Sequence, residues 1–240
     1  MPADLTETER ETIAHALRHE RGRYSAERAS QLSGIPKSTV YNWRRERILE
    51  PDFTVATPVM WSYRDLVLLR LLAWLRQGGM QRPLAAKKIR YVKKKLSSGA
   101  GIRLIHATRQ DLVLDDAHGT AFDDDRDNLL PSSDFYGLLA TFDLHEPIKE
   151  LRSSHDRPVW APNLVTPSEH SFISPWVMAG DPCVERTRIP TAAIYALRSE
   201  RALPVGAIVE LYPGLTAQAA QDAIRLEGRL RGVDIDELAA

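Results

Sequence analysis

Residues 24–47 read YSAERASQLSGIPKSTVYNWRRER, and the spacing inside this stretch decides the fold. Ser25 stands at an N-cap, where its hydroxyl can accept an orphan backbone N–H. Ala26, Ala29 and Leu32 then line one face of a helix of about three turns. Gly34 follows where the chain must turn sharply, because a positive φ costs glycine little. Ile35 plugs the gap between two helices, and Pro36 begins the second, where its missing N–H does no harm. Val40 and Trp43, three residues apart, point inward. Lys37, Ser38, Thr39, Tyr41, Asn42, Arg44, Arg45 and Arg47 fill the other positions. A small-residue first helix, a glycine turn and a basic second helix make the layout of a helix-turn-helix, whose second helix enters the major groove. Lys, Asn and Arg bond base edges or phosphates, while Ser, Thr and Tyr hold phosphate oxygens. These eight residues are the candidate DNA contacts. The competing reading is a helical hairpin with a solvated basic face.

Working outward, Ile48-Leu49-Glu50-Pro51 closes the unit, and FTVATPVMW (53–61) is β-prone with a proline in its middle, as in a wing. Tyr63-Arg64-Asp65 then leads into LVLLRLLAWLRQGGM, whose near-continuous apolar content predicts a buried helix. Together these residues resemble the winged-helix regulators of the MerR type. Ala29 and Gly34 match the family's turn, Leu49 and Pro51 the segment after the recognition helix, and Tyr63 with Leu66 the segment after the wing. The resemblance covers residues 24–80 and implies operator binding by a winged helix-turn-helix. The long dimerising coiled coil and the C-terminal cysteine set of metal-sensing relatives have no counterpart here.

On the N-terminal side, Thr6 and Glu9 form a capping box, and Ile13 and Leu17 continue at helical spacing. On the other side, RPLAAKKIRYVKKKL (82–96) predicts a basic helix ended by Ser97-Ser98-Gly99. Its Lys87, Lys88, Arg90 and Lys93 to Lys95 suit either phosphate tracking or a solvated face. IRLIHAT (102–108) and DLVL (111–114) are β-rich, and DDAHGTAFDDD predicts a turn and a second strand with an acidic face. Residues 128–163 read as an irregular connection with one short helix near Phe135 to Ala140.

Composition sets the outer limits. The chain has 240 residues, 43% of them hydrophobic and 27% charged, which excludes a disordered chain and suits one large or two small domains. The longest apolar stretch, Leu66 to Leu75, is broken by Arg70 and reaches only about half of a bilayer crossing. The opening MPADLTETERE lacks the basic-then-apolar layout of a signal peptide. The single Cys183 excludes an intrachain disulfide and a Cys-rich zinc site. A cytoplasmic protein with no membrane partner is the expectation. The 32 basic and 32 acidic residues balance, yet they are sorted: residues 1–99 hold 19 Lys+Arg against 10 Asp+Glu, and residues 100–240 hold 13 against 22. Such asymmetry points to a nucleic-acid-binding half, and it also fits two halves that pack on one another.

In the acidic half, Gly180-Asp181-Pro182 makes a turn and Thr187-Arg188-Ile189-Pro190 leads into a helix from about Thr191 to Arg201. Pro204 opens a second helix through Leu211, and Thr216 caps a third from about Ala217 to Leu230. Ile194, Leu197, Ile208, Leu211, Ala220, Ile224 and Leu230 are the expected shared core of a trihelical, helix-turn-helix-like domain. The residues Gly180, Pro182, Thr187, Arg188, Ile189, Tyr212, Leu215, Thr216 and Ala223 resemble the small C-terminal domain of VapB-type antitoxins. Arg186 stands where that family usually has glycine. With the MerR-like N-terminus, the chain resembles the long class of VapB antitoxin described from mycobacteria. That resemblance implies a neighbouring VapC-like PIN-domain ribonuclease toxin, dependent on divalent metal, and repression of the shared operon. For Arg188 the favoured reading is structural, a pair with Asp181 or Glu185; the competing one is direct contact with a partner.

A search for catalytic residues ends without a candidate. Asp115, Asp116, Asp123, Asp124, Asp125 and Asp127 lie in a polar turn, whereas catalytic Mg²⁺ carboxylates project from rigid buried elements. A calcium loop starting at Asp123 would need Gly and Glu where Asn128 and Asp134 stand. His106, His118, His145, His155 and His170 lack ligand spacing. Asp181 and Glu185 flank Cys183 and would raise its thiol pKa, the wrong direction for a nucleophile.

The sequence therefore predicts a mainly α protein with a small β portion. The expected divisions are a basic winged helix-turn-helix at 1–99, an acidic β-hairpin region and connection at 100–164, and a small helical domain at 165–240. The expected function is that of a homodimeric, non-enzymatic type II antitoxin without cofactor, binding double-stranded operator DNA and a PIN-type toxin. The alternative is a stand-alone MerR-like regulator with a ligand-sensing or interaction domain at its C-terminus.

Overall fold

The structure is a computed structural model, and it describes residues 16–17, 19–54, 58–77, 81–97, 102–107, 112–116 and 160–233. The chain is mainly helical with a small antiparallel β portion. Among the described residues the helices are α1 (Ala26–Ser33), α2 (Lys37–Arg45), α3 (Tyr63–Gln77), α4 (Arg82–Ser97), α5 (Thr191–Ser199), α6 (Val205–Leu211) and α7 (Ala217–Arg231). Strands β1 (Ile102–Ala107) and β2 (Leu112–Asp116) pair antiparallel, as do the two-residue strands β3 (Ser171–Phe172) and β4 (Cys183–Val184). The expected capping-box helix from Thr6 lies outside the described residues apart from its end, where Ala16 and Leu17 are helical and buried. So do residues 117–159, with the rest of the expected acidic turn and most of the connection; Asp115 and Asp116, expected in that turn, instead extend β2 and pair with Leu104 and Ile102.

Local chemistry sets the helix ends. The Ser25 hydroxyl accepts from the Arg28 N–H at 3.1 Å and starts α1, while Gly34 at φ 72° ends it. Pro36 precedes α2, Pro204 precedes α6, and Thr216 caps α7 through the Ala219 N–H. At the head of α3, Ser62 and Asp65 form a reciprocal cap: the Ser62 hydroxyl accepts the Asp65 N–H at 3.0 Å, and Asp65 accepts the Ser62 N–H at 2.9 Å. Two orphan donors are satisfied at once, as in a capping box with Asp in the place of Glu.

One core gathers Ala29, Leu32, Ile35, Val40, Trp43, Leu66, Leu69, Ile89 and Val92 from α1 to α4. Helix α3 is buried on every side along Tyr63 to Ala73, as its near-continuous apolar sequence requires. Arg64, Asp65 and Arg70 are buried within it. A second core holds Val184, Ile194, Tyr195, Ile208, Leu215, Ala220, Ala223 and Ile224. Two expected members of that second core are placed differently. Leu230 joins the first core, together with Leu226, because α7 faces α1 as well as α5. Leu211 is 57% exposed, because α6 is only seven residues long and offers one buried position, Ile208.

Candidate nucleic-acid interface

Helix α2 is anchored from below by Val40 and Trp43, both buried, and by Ile35 in the turn. With these pointing inward, a helical repeat turns Lys37, Ser38, Tyr41, Asn42, Arg44 and Arg45 outward, and all six are exposed; Thr39 is half-buried. Tyr41 is among the few large side chains with apolar surface that remain open, at 48% exposure. Arg44 and Arg45 make no ion pair with any described residue. Lys37 is tied to Glu27 on α1, and that hydrogen bond raises the lysine pKa and lowers that of Glu27. Arg47 lies past the end of the helix, exposed, with its backbone at φ 53°. The sequence reading thus brought together six residues of one outward face, with Thr39 and Arg47 at its margins.

The neighbourhood of α2 is fixed by charge pairs. Arg82 of α4 pairs with Glu46, and Arg90 donates to the Arg47 carbonyl at 3.0 Å. Beside them, Asp52 accepts from Arg64 (2.7 and 3.1 Å) and from the Ser62 hydroxyl (2.5 Å), while Lys93 reaches Asp52 at 2.8 Å and Asp65 at 2.6 Å. Burial pushes both carboxyl pKa values up. For Asp52 the hydrogen bonds and charges of Arg64 and Lys93 outweigh burial and hold it below the usual range; for Asp65, completely buried and beside Asp52, burial wins. This network locks the excursion after α2 to α3 and α4. Phe53 bridges to Met60, and Tyr24 to Trp61, so the β-prone stretch 53–61 is paired at both ends. The Arg23 guanidinium sits 4.4 Å over the Phe53 ring.

In the C-terminal motif the singled-out residues serve the fold. Gly180, at φ 91°, accepts the Tyr24 hydroxyl on its carbonyl at 2.9 Å. The Pro182 carbonyl accepts the Thr191 N–H at 2.9 Å. Thr187 donates its hydroxyl to the Val184 carbonyl and accepts the Ile189 N–H, closing the turn before α5, and Ile189 packs on the second core. Arg188 corrects its favoured reading. It is exposed and pairs with neither expected carboxylate, because Asp181 is taken by Arg28 and Glu185 by Arg186. Arg186 adopts φ 58°, the left-handed conformation that glycine takes readily. Burial, then the Asp181 carboxylate, pushes the Cys183 thiol pKa up to about 11, so this buried cysteine stays protonated.

The charge asymmetry admits two halves that pack on one another, but the sequence does not show which residues join them. Arg28 on α1 grips Glu227 on α7 with two hydrogen bonds and reaches Asp181 at 3.0 Å; Glu227 also accepts the Thr191 hydroxyl at 2.6 Å. A strap at 160–165 crosses the first core. Its Leu164 carbonyl accepts the buried Tyr63 hydroxyl at 3.0 Å, its Pro162 carbonyl accepts Arg70, and Trp160 stacks under Arg229 at 4.1 Å. None of these groups covers the outward face of α2.

Among the described residues no group of His, Cys, Asp and Glu could hold a metal ion, and no helix is long and apolar enough to cross a membrane. Neither a curated protein nor a solved structure matches the chain. Residues 173–225, which run from the end of β3 into α7, match the model of a family described as a protein of unknown function, DUF433.

Proposed function

We propose that this chain is a DNA-binding antitoxin of a type II toxin–antitoxin module. In this reading α1 and α2 form a helix-turn-helix, residues 53–61 form its wing, and the protein binds operator DNA in the cytoplasm as a homodimer. The observation that carries it is the outward face of α2: Lys37, Ser38, Tyr41, Asn42, Arg44 and Arg45, exposed on a helix pinned by Val40 and Trp43. Side chains able to bond bases or phosphates stand together on a rigid element, which suits groove reading. The antitoxin role rests on the resemblance of the segment from Gly180 to Ala223, and its partner would be a VapC-like PIN-domain ribonuclease. Co-expression with the adjacent reading frame tests it: a stable complex that suppresses ribonuclease activity is expected, and persisting toxicity beside folded antitoxin contradicts it.

A second reading, a stand-alone regulator, draws support from the Arg28–Glu227 pair. A C-terminal unit fixed to α1 is placed to pass the binding of a ligand to the helix pair. An adjacent frame that encodes no nuclease would favour it.

A further inference from the structure

Helix α4 runs beside the end of α2 and forms a cleft of about 420 Å³ with the turn that follows it. Its charged walls are Arg47, Glu50, Arg90, Lys93 and Lys94. Lys93 is neutralised by Asp52 and Asp65. Arg90 spends one N–H on the Arg47 carbonyl, and a guanidinium carries five donors. Arg47 approaches Glu50 only at 3.9 Å, and both side chains are exposed, so this pair holds it weakly. Lys94 is exposed with no ion pair among the described residues. Arg47, Arg90 and Lys94 therefore face a single exposed carboxylate, which leaves an excess of positive charge in a concave site.

The backbone adds a second observation. Arg47 holds φ 53°, a conformation that costs a residue with a side chain and that glycine would adopt freely. Strained positions of this kind concentrate where a side chain meets a ligand. Arg47 and Arg90 both line the cleft, and Arg90 bonds the Arg47 carbonyl.

We propose that this cleft binds a phosphate group, held by the forked donors of Arg47 and Arg90 and by the Lys94 ammonium. Continuity with the α2 face favours a backbone phosphate of bound DNA, and that assignment of source rests on the reading of α2 above. A free phosphate offers the same chemistry. The cleft also divides the basic run of α4: Arg90 and Lys94 serve the site, whereas Lys93 serves the fold.

The test uses the full chain, with Arg47→Gly, Lys94→Ala and the double variant. Fluorescence anisotropy across a salt series is recorded on the duplex upstream of the protein's own reading frame and on an unrelated duplex. The slope of log affinity against log salt should become shallower by about 0.9 for each phosphate the variant no longer neutralises, equally on both duplexes. Arg47→Gly should raise the melting temperature while weakening binding, opposed directions that unfolding does not produce. Titration with inorganic phosphate, followed by ³¹P line width, is the second arm. Phosphate binding that the double variant abolishes, without any duplex binding by the parent, keeps the cleft and contradicts the reading of α2. Unchanged salt slopes together with unchanged phosphate binding overturn the proposal.

Discussion

Arg28 and Glu227, 199 residues apart, form a two-pronged ion pair in which Nη2 meets Oε1 at 2.7 Å and Nη1 meets Oε2 at 3.0 Å. It joins α1 in the basic half to α7 in the acidic half. Among the described residues, opposite charges of the two halves thus meet around Arg28, where Asp181 also pairs with the guanidinium and the Thr191 hydroxyl donates to Glu227.

Removing one partner should be costly. Glu227→Ala leaves the Arg28 guanidinium with Asp181 and Gln31 in a site where its side chain is only 12% exposed. With Asp181 still beside the guanidinium, the loss is smaller than that of an unpaired buried charge and amounts to about 1–3 kcal/mol. Urea unfolding of the variant should show this destabilisation; a change under 1 kcal/mol, on the order of a surface substitution, would show that the pair is idle.

The same carboxylate gives stability a pH dependence. Burial raises the Glu227 pKa, but the hydrogen bonds and charge of Arg28 outweigh it, so the folded value lies below the ordinary 4.5. The unfolded chain therefore binds the proton more readily as pH falls through that range. The contribution is fully present above about pH 4.5 and is lost as pH drops toward the folded value. Glu227→Gln should flatten the acid limb of stability against pH, and a limb as steep as the parent's would contradict the assignment.

Tyr24 and Gly180 are a second test of the join. Tyr24→Phe removes a buried hydrogen bond and leaves the Gly180 carbonyl unsatisfied, a cost of about 1–3 kcal/mol. Gly180→Ala should be worse than an ordinary surface change, because its Cβ would collide with the Tyr24 hydroxyl and its φ is 91°. Thermal denaturation of both variants checks this, and Gly180→Ala melting like the parent would refute the close approach.

Glu27 competes for Lys37. Its exposed carboxylate holds the lysine by a hydrogen bond, so DNA must displace it before Lys37 can bind phosphate or base. Glu27→Ala should tighten duplex binding without lowering the melting temperature. Weaker binding would place Lys37 outside the interface.

Much of the first half was legible because its signals are local. Ser25, Gly34 and Pro36 mark boundaries by backbone chemistry alone, and Val40 with Trp43 fixes the inward face of α2. The join was not legible, since Arg28 and Glu227 read as ordinary charged positions on amphipathic helices until the fold brings them together. Arg188 failed for the same reason: its expected carboxylate, Asp181, is claimed by a residue from the other half. Leu211 failed because a seven-residue helix offers too few turns for periodicity to tell a buried leucine from an exposed one. Arg186 takes the left-handed backbone, φ 58°, at the position where the resemblance leads one to expect glycine.

The central claim is that the outward face of α2 reads duplex DNA, and competition anisotropy measures it most directly. The full chain is titrated onto the duplex upstream of its own reading frame, with unrelated duplex as competitor, for the parent and for Asn42→Ala and Arg45→Ala. Each substitution that removes a hydrogen bond to a base should weaken specific binding by about 1–3 kcal/mol and reduce the preference between duplexes. Both residues are exposed, so melting temperatures should not move. Parent-like affinity and preference in both variants, or no duplex binding by the parent, would contradict the account.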